Sequence, residues 1–258
     1  MTPPTREKKR ISWLTVTIRL LAAACLVALV ISGTALMQQQ RDYREGNHAY
    51  EHIRQLASPP PLANGSEDQI YHSEINFSSL WELNQDVVGW LRGPGTLIDY
   101  PVVQGEDNAH YLNHLLTGER NRLGSLFLDY RNKADMRGRV LAIYGHNMRD
   151  GSMLTSISLY KDPAYYQAHP SLTYFTPTAD YTIQVFAGII VSGTSGALRL
   201  SFDDDQDFLD YLGELRTGST FQSPVTVEAA DSVIALVTCT YNFNNARYIL
   251  LGKLVKNA

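Results

Sequence analysis

Residues 231–255, DSVIALVTCTYNFNNARYILLGKLV, have the pattern of two β-strands joined by a polar loop. Hydrophobic side chains dominate 231–239 and 247–255, and the loop between them is rich in Asn. If the two strands pair in antiparallel fashion, Cys239 and Arg247 lie at the same end of the sheet. A cation beside a thiol favours the thiolate, and a guanidinium also stabilises a developing oxyanion. This pair is therefore a candidate for nucleophilic chemistry.

The chain from residue 87 onward has the same β-rich character, with short hydrophobic runs separated by turn residues. Further strands are predicted within 87–93, 97–105, 124–130, 139–147, 172–177, 181–193 and 225–229. Helical segments are predicted at 78–85, 107–116, 153–168 and 203–216. About eight strands with turn signals between them indicate an all-β domain, either a barrel or a sandwich.

Composition and charge exclude several classes of protein. The 258 residues are 44% hydrophobic and 19% charged, with Gly 18, Pro 11 and Cys 2, which excludes a collagen-like, low-complexity or disulfide-rich chain. The formal net charge of -4 does not favour nucleic-acid binding. The charge is unevenly distributed, because residues 1–36 hold five basic groups and one acidic group whereas the remainder is acidic. The two parts of the chain are therefore expected to face different surroundings.

The basic N-terminal end precedes a hydrophobic segment that predicts a membrane anchor. Residues 20–36 carry no charge and would form a helix about 25 Å long. Because the side chain of Arg19 can snorkel toward the headgroups, the membrane span can begin before it, at Trp13. We therefore predict a cytoplasmic basic tail at 1–10, a single transmembrane anchor at 11–36, and an extracellular helix and linker at 37–74. The alternative is a cleaved signal peptide, although the hydrophobic run is longer than such peptides usually have. Both interpretations place the remaining domain outside the cell.

Export makes the cysteine content informative. Cys25 lies within the hydrophobic segment, so Cys239 has no partner for an intramolecular disulfide in the exported domain. A cysteine nucleophile needs an acid/base group, and His146 ends another predicted strand. The sequence has no HExxH or paired Cys/His spacing for zinc, no Walker loop and no GxSxG elbow. From these residues alone, two interpretations of Cys239 stay open: a reactive thiol, or a buried and inert one.

Four collinear segments resemble the class B sortases, which are cell-wall cysteine transpeptidases of Gram-positive bacteria. The segments are DVVGWLRGPGTLIDYPVVQGEDNAHYLNH (86–114), FLDYRN (127–132), YGHNMRDGSML (144–154) and VTCTYNFNNARYILLGKL (237–254). The resemblance covers residues 75–258 and implies a catalytic domain of that extent, folded as a closed eight-stranded β-barrel with helical inserts. The two predicted N-terminal helices and the predicted helix at 203–216 before the last strands also resemble class B.

The resemblance implies roles for individual residues as well. Cys239 is the expected nucleophile, and His146 is expected to protonate the leaving amine and then deprotonate the incoming one. Arg247 is expected to hold the substrate and stabilise the oxyanion. The expected substrate-binding residues are Asn108, Leu112, Tyr144 and Thr238. No metal and no cofactor are expected.

The activity that the resemblance implies is transpeptidation at the cell surface. The enzyme is expected to cleave a C-terminal sorting signal after Thr, in a motif such as Asn-Pro-x-Thr-x or Pro-x-Thr-Gly, through a thioester. The expected partners are surface proteins or pilins with that signal, an amine of a lipid-linked peptidoglycan precursor or a pilin lysine, and the membrane, but no nucleic acid. Two alternatives stay open: an exported cysteine peptidase or amidase that hydrolyses the wall, and a wall-binding module in which Cys239 is buried.

Overall fold

The computed structural model describes residues 13–58, 73–133, 135 and 137–257. The predicted basic tail 1–10 and most of the predicted linker lie outside these residues. The chain divides into two units, Met1–Arg44 and Glu45–Ala258. The described part of the first unit belongs to one helix, α1, whose hydrophobic side chains are exposed. This helix is long and apolar enough to cross a membrane. By length and composition it suits either a membrane anchor or a signal sequence.

The helices are α1 (Trp13–Ala57), α2 (Phe77–Leu83), α3 (Pro163–Ala168) and α4 (Asp205–Thr217), with 3₁₀ turns at His110–Leu112 and Thr155–Lys161. The strands are β1 (Val87–Arg92), β2 (Asp99–Val103), β3 (Leu126–Leu128), β4 (Val140–Tyr144), β5 (Ser171–Phe175), β6 (Asp180–Ser192), β7 (Val233–Thr240) and β8 (Ala246–Lys256). Within the described residues, these eight strands form a closed barrel in the order β1–β2–β3–β4–β7–β8–β6–β5. The pairs β2–β3 and β4–β7 are parallel, and the other pairs are antiparallel. The predicted closed eight-stranded barrel is confirmed, and the sandwich is excluded.

The helix α4 packs against β6 and shares a buried hydrophobic cluster with β6, β7 and β8. The hydrophobic side chains Phe208, Tyr211 and Leu212 recur at helical spacing, and they pack against alternate residues of β7 that include Val237. The helix begins where the side chain of Asp204 caps its first turn. This packing closes one side of the sheet that carries Cys239, and the predicted helix at 203–216 is confirmed.

The last turns of α1, which belong to the second unit, pack into its core. Tyr50 and Ile53 are fully buried there. The hydroxyl of Tyr50 donates to the carbonyl oxygen of Gly124 at 2.5 Å and lies 3.0 Å from the hydroxyl of Ser125. Since a buried hydroxyl without a partner is costly, these bonds fix how the end of α1 docks.

One predicted strand, 225–229, is not a strand in the structure. The guanidinium of Arg216, in the last turn of α4, donates to the carbonyl oxygens of Ser223 and Val225. These bonds occupy backbone acceptors that pairing with another strand would need. Val225 and Val227 instead pack against the cluster under α4. The hydrophobic alternation of this segment therefore reflects burial of one face and not pairing within a sheet.

The two other helical inserts are mostly 3₁₀ rather than α-helical. In the insert predicted at 107–116, the carboxylate of Asp107 accepts hydrogen bonds from the backbone N–H groups of Ala109 and His110 at 2.8 Å, which closes a tight turn. The insert predicted at 153–168 begins as a 3₁₀ segment, and α3 starts at Pro163 after Asp162 caps it.

Candidate active site

Cys239 and Arg247 lie directly opposite each other on adjacent strands. They are register partners in the antiparallel ladder of β7 and β8. Such partners have Cα atoms about 4.5–5.5 Å apart and project their side chains from the same face. Both residues are half-buried, and within the described part of the chain the guanidinium makes one hydrogen bond, from Nη1 to the carbonyl oxygen of Ala246 at 3.2 Å. Its other N–H groups are available to a ligand beside the thiol.

His146 follows β4 and reaches the same end of the sheet. Tyr144 is the register partner of Val237 in the parallel pair β4–β7, and continuing this register places His146 beside Cys239. Nε2 of His146 lies 2.6 Å from the carbonyl oxygen of Leu112. Because a carbonyl oxygen only accepts, this contact requires the proton on Nε2 and leaves Nδ1 for proton exchange with a ligand. The three predicted catalytic residues therefore meet at one edge of the barrel.

The face that carries Cys239 continues into a hydrophobic surface. Tyr144, Val191, Leu198 and Leu200 are partly buried there against the cluster under α4, and we call these four side chains the apolar shelf. Val191 is the register partner of Arg247 on β6, so the shelf adjoins the cation as well as the thiol. A shelf of this kind, with a few convergent polar groups, is typical of a ligand-binding groove.

A buried carboxylate joins two of the predicted substrate-binding residues, Asn108 and Tyr144. The side chain of Asp129 is 0% exposed, and it accepts from Nδ2 of Asn108 and from the hydroxyl of Tyr144, each at 3.0 Å. The guanidinium of Arg131 donates to the same carboxylate at 2.7 and 2.8 Å. Burial alone would raise the pKa of Asp129, but the hydrogen bonds from its three partners outweigh burial and lower that pKa. Sequence analysis missed Asp129, although an Asp near the end of a predicted strand, two residues before an Arg, is a usable signal.

Leu112 and Thr238, the other predicted substrate-binding residues, differ in their placement. Leu112 ends the first 3₁₀ turn with its side chain 41% exposed, and its carbonyl oxygen binds His146. Thr238 is buried on the face opposite Cys239, and its hydroxyl donates to the carbonyl oxygen of Gly145 at 2.7 Å. Thr238 thus reinforces the pairing of β7 with the segment before His146, and its contact with a substrate stays a prediction.

Sequence analysis also missed Lys161, which contacts the end of β7 and the loop between β7 and β8. Its amine donates to the hydroxyl of Thr240 and, at 2.7 Å, to Oδ1 of Asn242. Burial lowers the pKa of this amine. The contact joins segments about 80 residues apart in the chain, so no local pattern could have indicated it.

Among the described residues, no group of three or more His, Cys, Asp or Glu side chains could hold a metal ion.

Two curated proteins resemble this chain over most of its length. Sortase B of Listeria monocytogenes is 38% identical over 178 residues, which cover 68% of this chain and 72% of that protein. Sortase B of Staphylococcus aureus is 29% identical over 233 residues, which cover 90% of this chain and 93% of that protein. No family model matches the chain.

Solved structures show the same likeness in three dimensions. The structure of sortase B from Bacillus anthracis in complex with AAEK1 is 31% identical with a TM-score of 0.74, and the match covers 84% of this chain and 99% of that chain. The complex of S. aureus sortase B with a substrate is 32% identical with a TM-score of 0.67, over 70% of this chain and 85% of that chain. A sortase B structure in complex with triglycine has the same identity and TM-score, over 70% of this chain and 86% of that chain.

Proposed function

The chain belongs to the class B sortases and is a cysteine transpeptidase of that family, and from this premise we propose that Cys239, His146 and Arg247 carry its reaction. The observation that supports the proposal most directly is the register pairing of Cys239 with Arg247, with His146 two residues after the end of β4, the other neighbour of β7. This arrangement combines a nucleophile, a charged donor group and a proton-transfer group at one edge of the sheet.

In the first half of the proposed reaction, the thiolate of Cys239 attacks the carbonyl carbon of the Thr in the sorting signal. The electrons of the carbonyl double bond move to its oxygen, where N–H groups of Arg247 stabilise the negative charge. When the tetrahedral intermediate collapses, the carbon–nitrogen bond breaks and protonated His146 gives a proton to the departing amine. The products are a thioester on Cys239, neutral His146 and the released C-terminal fragment.

The second half of the proposed reaction returns the enzyme to its starting state. An acceptor amine attacks the thioester carbonyl, and His146 takes the proton that this amine loses. The sulfur of Cys239 leaves as a thiolate, and the acyl group is joined to the acceptor by a new amide bond. Because Nε2 of His146 is held by the carbonyl oxygen of Leu112, Nδ1 is the nitrogen that we assign to both proton transfers.

We further propose that the apolar shelf binds the sorting signal in an extended conformation. Asn108 is linked through Asp129 to Tyr144 of the shelf, and Leu112 contributes an exposed side chain. The substrate and triglycine complexes of the sortase B relatives support a sorting-signal donor and an amine acceptor for this chain too. An acceptor amine on a lipid-linked peptidoglycan precursor, or a pilin lysine, fits the same chemistry.

We also propose that the hydrophobic part of α1 anchors the enzyme in the membrane. The basic residues at 1–10 then stay in the cytoplasm, and the barrel lies on the outer side of the membrane. This location matches the expected substrates, which are exported proteins and wall precursors.

The proposed function is tested with the full chain in detergent micelles and a panel of quenched sorting-signal peptides. Each peptide is incubated with and without triglycine or a lysine peptide, and the products are identified by mass spectrometry. We expect one motif to be cleaved, with a peptide–amine product that requires Cys239. Cys239→Ala removes the nucleophile, and Cys25→Ala is the matched control because it removes the only other thiol.

The possible outcomes separate the alternatives. A peptide–amine product that disappears in Cys239→Ala and survives in Cys25→Ala supports the transpeptidase. Cleavage that depends on Cys239 but yields only the free acid, at every acceptor concentration, indicates a hydrolytic peptidase instead. Cleavage that persists in Cys239→Ala contradicts the assignment of the nucleophile.

A further inference from the structure

We propose that Asn147 is a positioning residue for the catalytic pair, which acts through His146 and Cys239 rather than through the substrate. The inference rests on the catalytic roles proposed above. The side-chain amide of Asn147 donates from Nδ2 to the carbonyl oxygen of Cys239 at 2.8 Å. This bond joins the residue that follows His146 to the backbone of the nucleophile, across 92 positions of sequence.

The bond lies where the backbone pairing of β4 with β7 ends. The ladder stops at Tyr144, and the amide of Gly145 is the last backbone donor from this segment to β7. Beyond that point the chain turns into a loop, and the amide of Asn147 supplies the next connection to β7, at Cys239. His146 therefore lies between a backbone bond on one side and the Asn147 bond on the other.

The backbone of Asn147 is itself held in place by its own loop. It forms a β-bridge with Met153, and the N–H of Leu154 donates to the carbonyl oxygen of His146 at 3.0 Å. Met153 and Gly151 have φ angles of 58° and 86°, which close the loop within a few residues. Because an Asn has only two side-chain torsions, the fixed backbone leaves the amide of Asn147 little freedom. The hydrogen bond to Cys239 therefore holds the loop after His146 and β7 together as one unit.

The rate of the chemical steps depends on how well His146 and Cys239 are aligned. A displacement of about 1 Å in a catalytic group costs on the order of 100-fold in rate. Without the amide of Asn147, the loop that begins at His146 can move away from β7, whereas the apolar shelf keeps its own contacts. We therefore expect kcat to fall about 10- to 100-fold, with KM for the sorting peptide changed by less than about twofold.

The test uses two substitutions at Asn147 and a matched control at Asn132, made in the full chain. Asn147→Ala removes the amide, and Asn147→Asp keeps its shape but replaces the N–H donor with an oxygen. Asn132 is also half-buried, and its Nδ2 donates at 2.8 Å to the backbone carbonyl of Val140, which starts β4 at the end away from His146. Oδ1 of Asn132 also accepts from the N–H of Ala142 at 2.8 Å, so Asn132→Ala should lower thermal stability at least as much as Asn147→Ala.

The readouts are kcat and KM with the peptide that the wild type cleaves, together with the thermal unfolding midpoint. We expect both Asn147 variants to lose kcat and keep KM, and Asn132→Ala to keep kcat. The proposal is overturned if either Asn147 variant keeps the wild-type kcat, if the loss appears in KM, or if Asn132→Ala loses as much kcat. A wild-type reaction that survives Cys239→Ala would overturn the catalytic roles instead, so the two failures are distinguishable.

Discussion

Replacing Asp129 by asparagine tests whether this buried carboxylate stabilises the domain and holds Asn108 close to Tyr144 of the apolar shelf. The substitution keeps the size of the side chain, removes its charge, and puts an NH₂ group where one oxygen accepted hydrogen bonds. The donors of Asn108, Tyr144 and Arg131 all converge on this carboxylate. An amide cannot accept from all of them, so some of these bonds must weaken or break.

The expected magnitude follows from which bonds are buried. Hydrogen bonds to a charged acceptor contribute about 1.5–3 kcal/mol each. The side chain of Arg131 is 54% exposed, so its guanidinium can be rehydrated and its bonds are discounted. For the two remaining bonds, weakened rather than lost, we expect the free energy of unfolding to fall by about 2–3 kcal/mol. For a domain of this size the thermal midpoint should then fall by about 4–12 °C.

The pH dependence of this effect has a definite sign. Because the folded state lowers the pKa of Asp129, its contribution is fully present above the unfolded value, about 3.9, and is lost as the pH falls through the folded value. The difference in stability between wild type and Asp129→Asn should therefore be largest near neutral pH and should narrow below about pH 4. Circular dichroism melts between pH 3 and pH 7 measure this difference, and peptide kinetics should show a raised KM.

The matched control is Asp207→Asn, which also removes a carboxylate bonded twice by an arginine. Asp207 accepts from Arg199 at 2.9 and 2.5 Å, but this pair lies near the surface, where ion pairs contribute little. A stabilising role for the Asp129 carboxylate is contradicted if Asp129→Asn lowers the thermal midpoint no more than Asp207→Asn does, or if its effect is unchanged at pH 3.

Three other substitutions give separate expectations. Gly145→Ala adds a methyl group that would collide with the side chains of Leu126 and Leu154, the latter 2.8 Å away at Cγ; overpacking should cost about 1–3 kcal/mol and displace the neighbouring His146, the proposed proton-transfer group, so both the melting midpoint and kcat should fall. Tyr50→Phe leaves the buried carbonyl oxygen of Gly124 without its hydroxyl donor and removes the hydrogen bond between the hydroxyls of Tyr50 and Ser125; the free energy of unfolding should fall by about 1–2 kcal/mol with kcat unchanged, as denaturant titration and peptide kinetics would show. Arg247→Lys keeps the charge and loses the planar fork; we expect kcat/KM to fall at least about tenfold while the melting midpoint is unchanged, and an unaltered kcat/KM would contradict its proposed role.

Much of the fold could be predicted because its signals are local. Hydrophobic runs of strand length, separated by turn residues, predicted the strands of the barrel. The same reasoning failed at 225–229, since hydrophobic alternation indicates that one face is buried and does not show whether the backbone finds a pairing partner. It also missed the 3₁₀ character of 107–116, where the Asp107 side chain competes with the backbone for its hydrogen bonds.

Within the candidate site, local sequence was enough to predict that Cys239 and Arg247 are neighbours. They lie on consecutive strands joined by one short loop, so antiparallel pairing alone brings them together. The placement of His146 and Asn147 depends on the folded barrel, because β4 and β7 are parallel strands that are far apart in the chain and pair only when the barrel closes. That pairing brings the segment after β4, which carries His146, to the Cys239 end of β7 and gives Asn147 its hydrogen bond to Cys239. Contacts of this kind depend on which strands become neighbours, and no local period in a sequence encodes that choice.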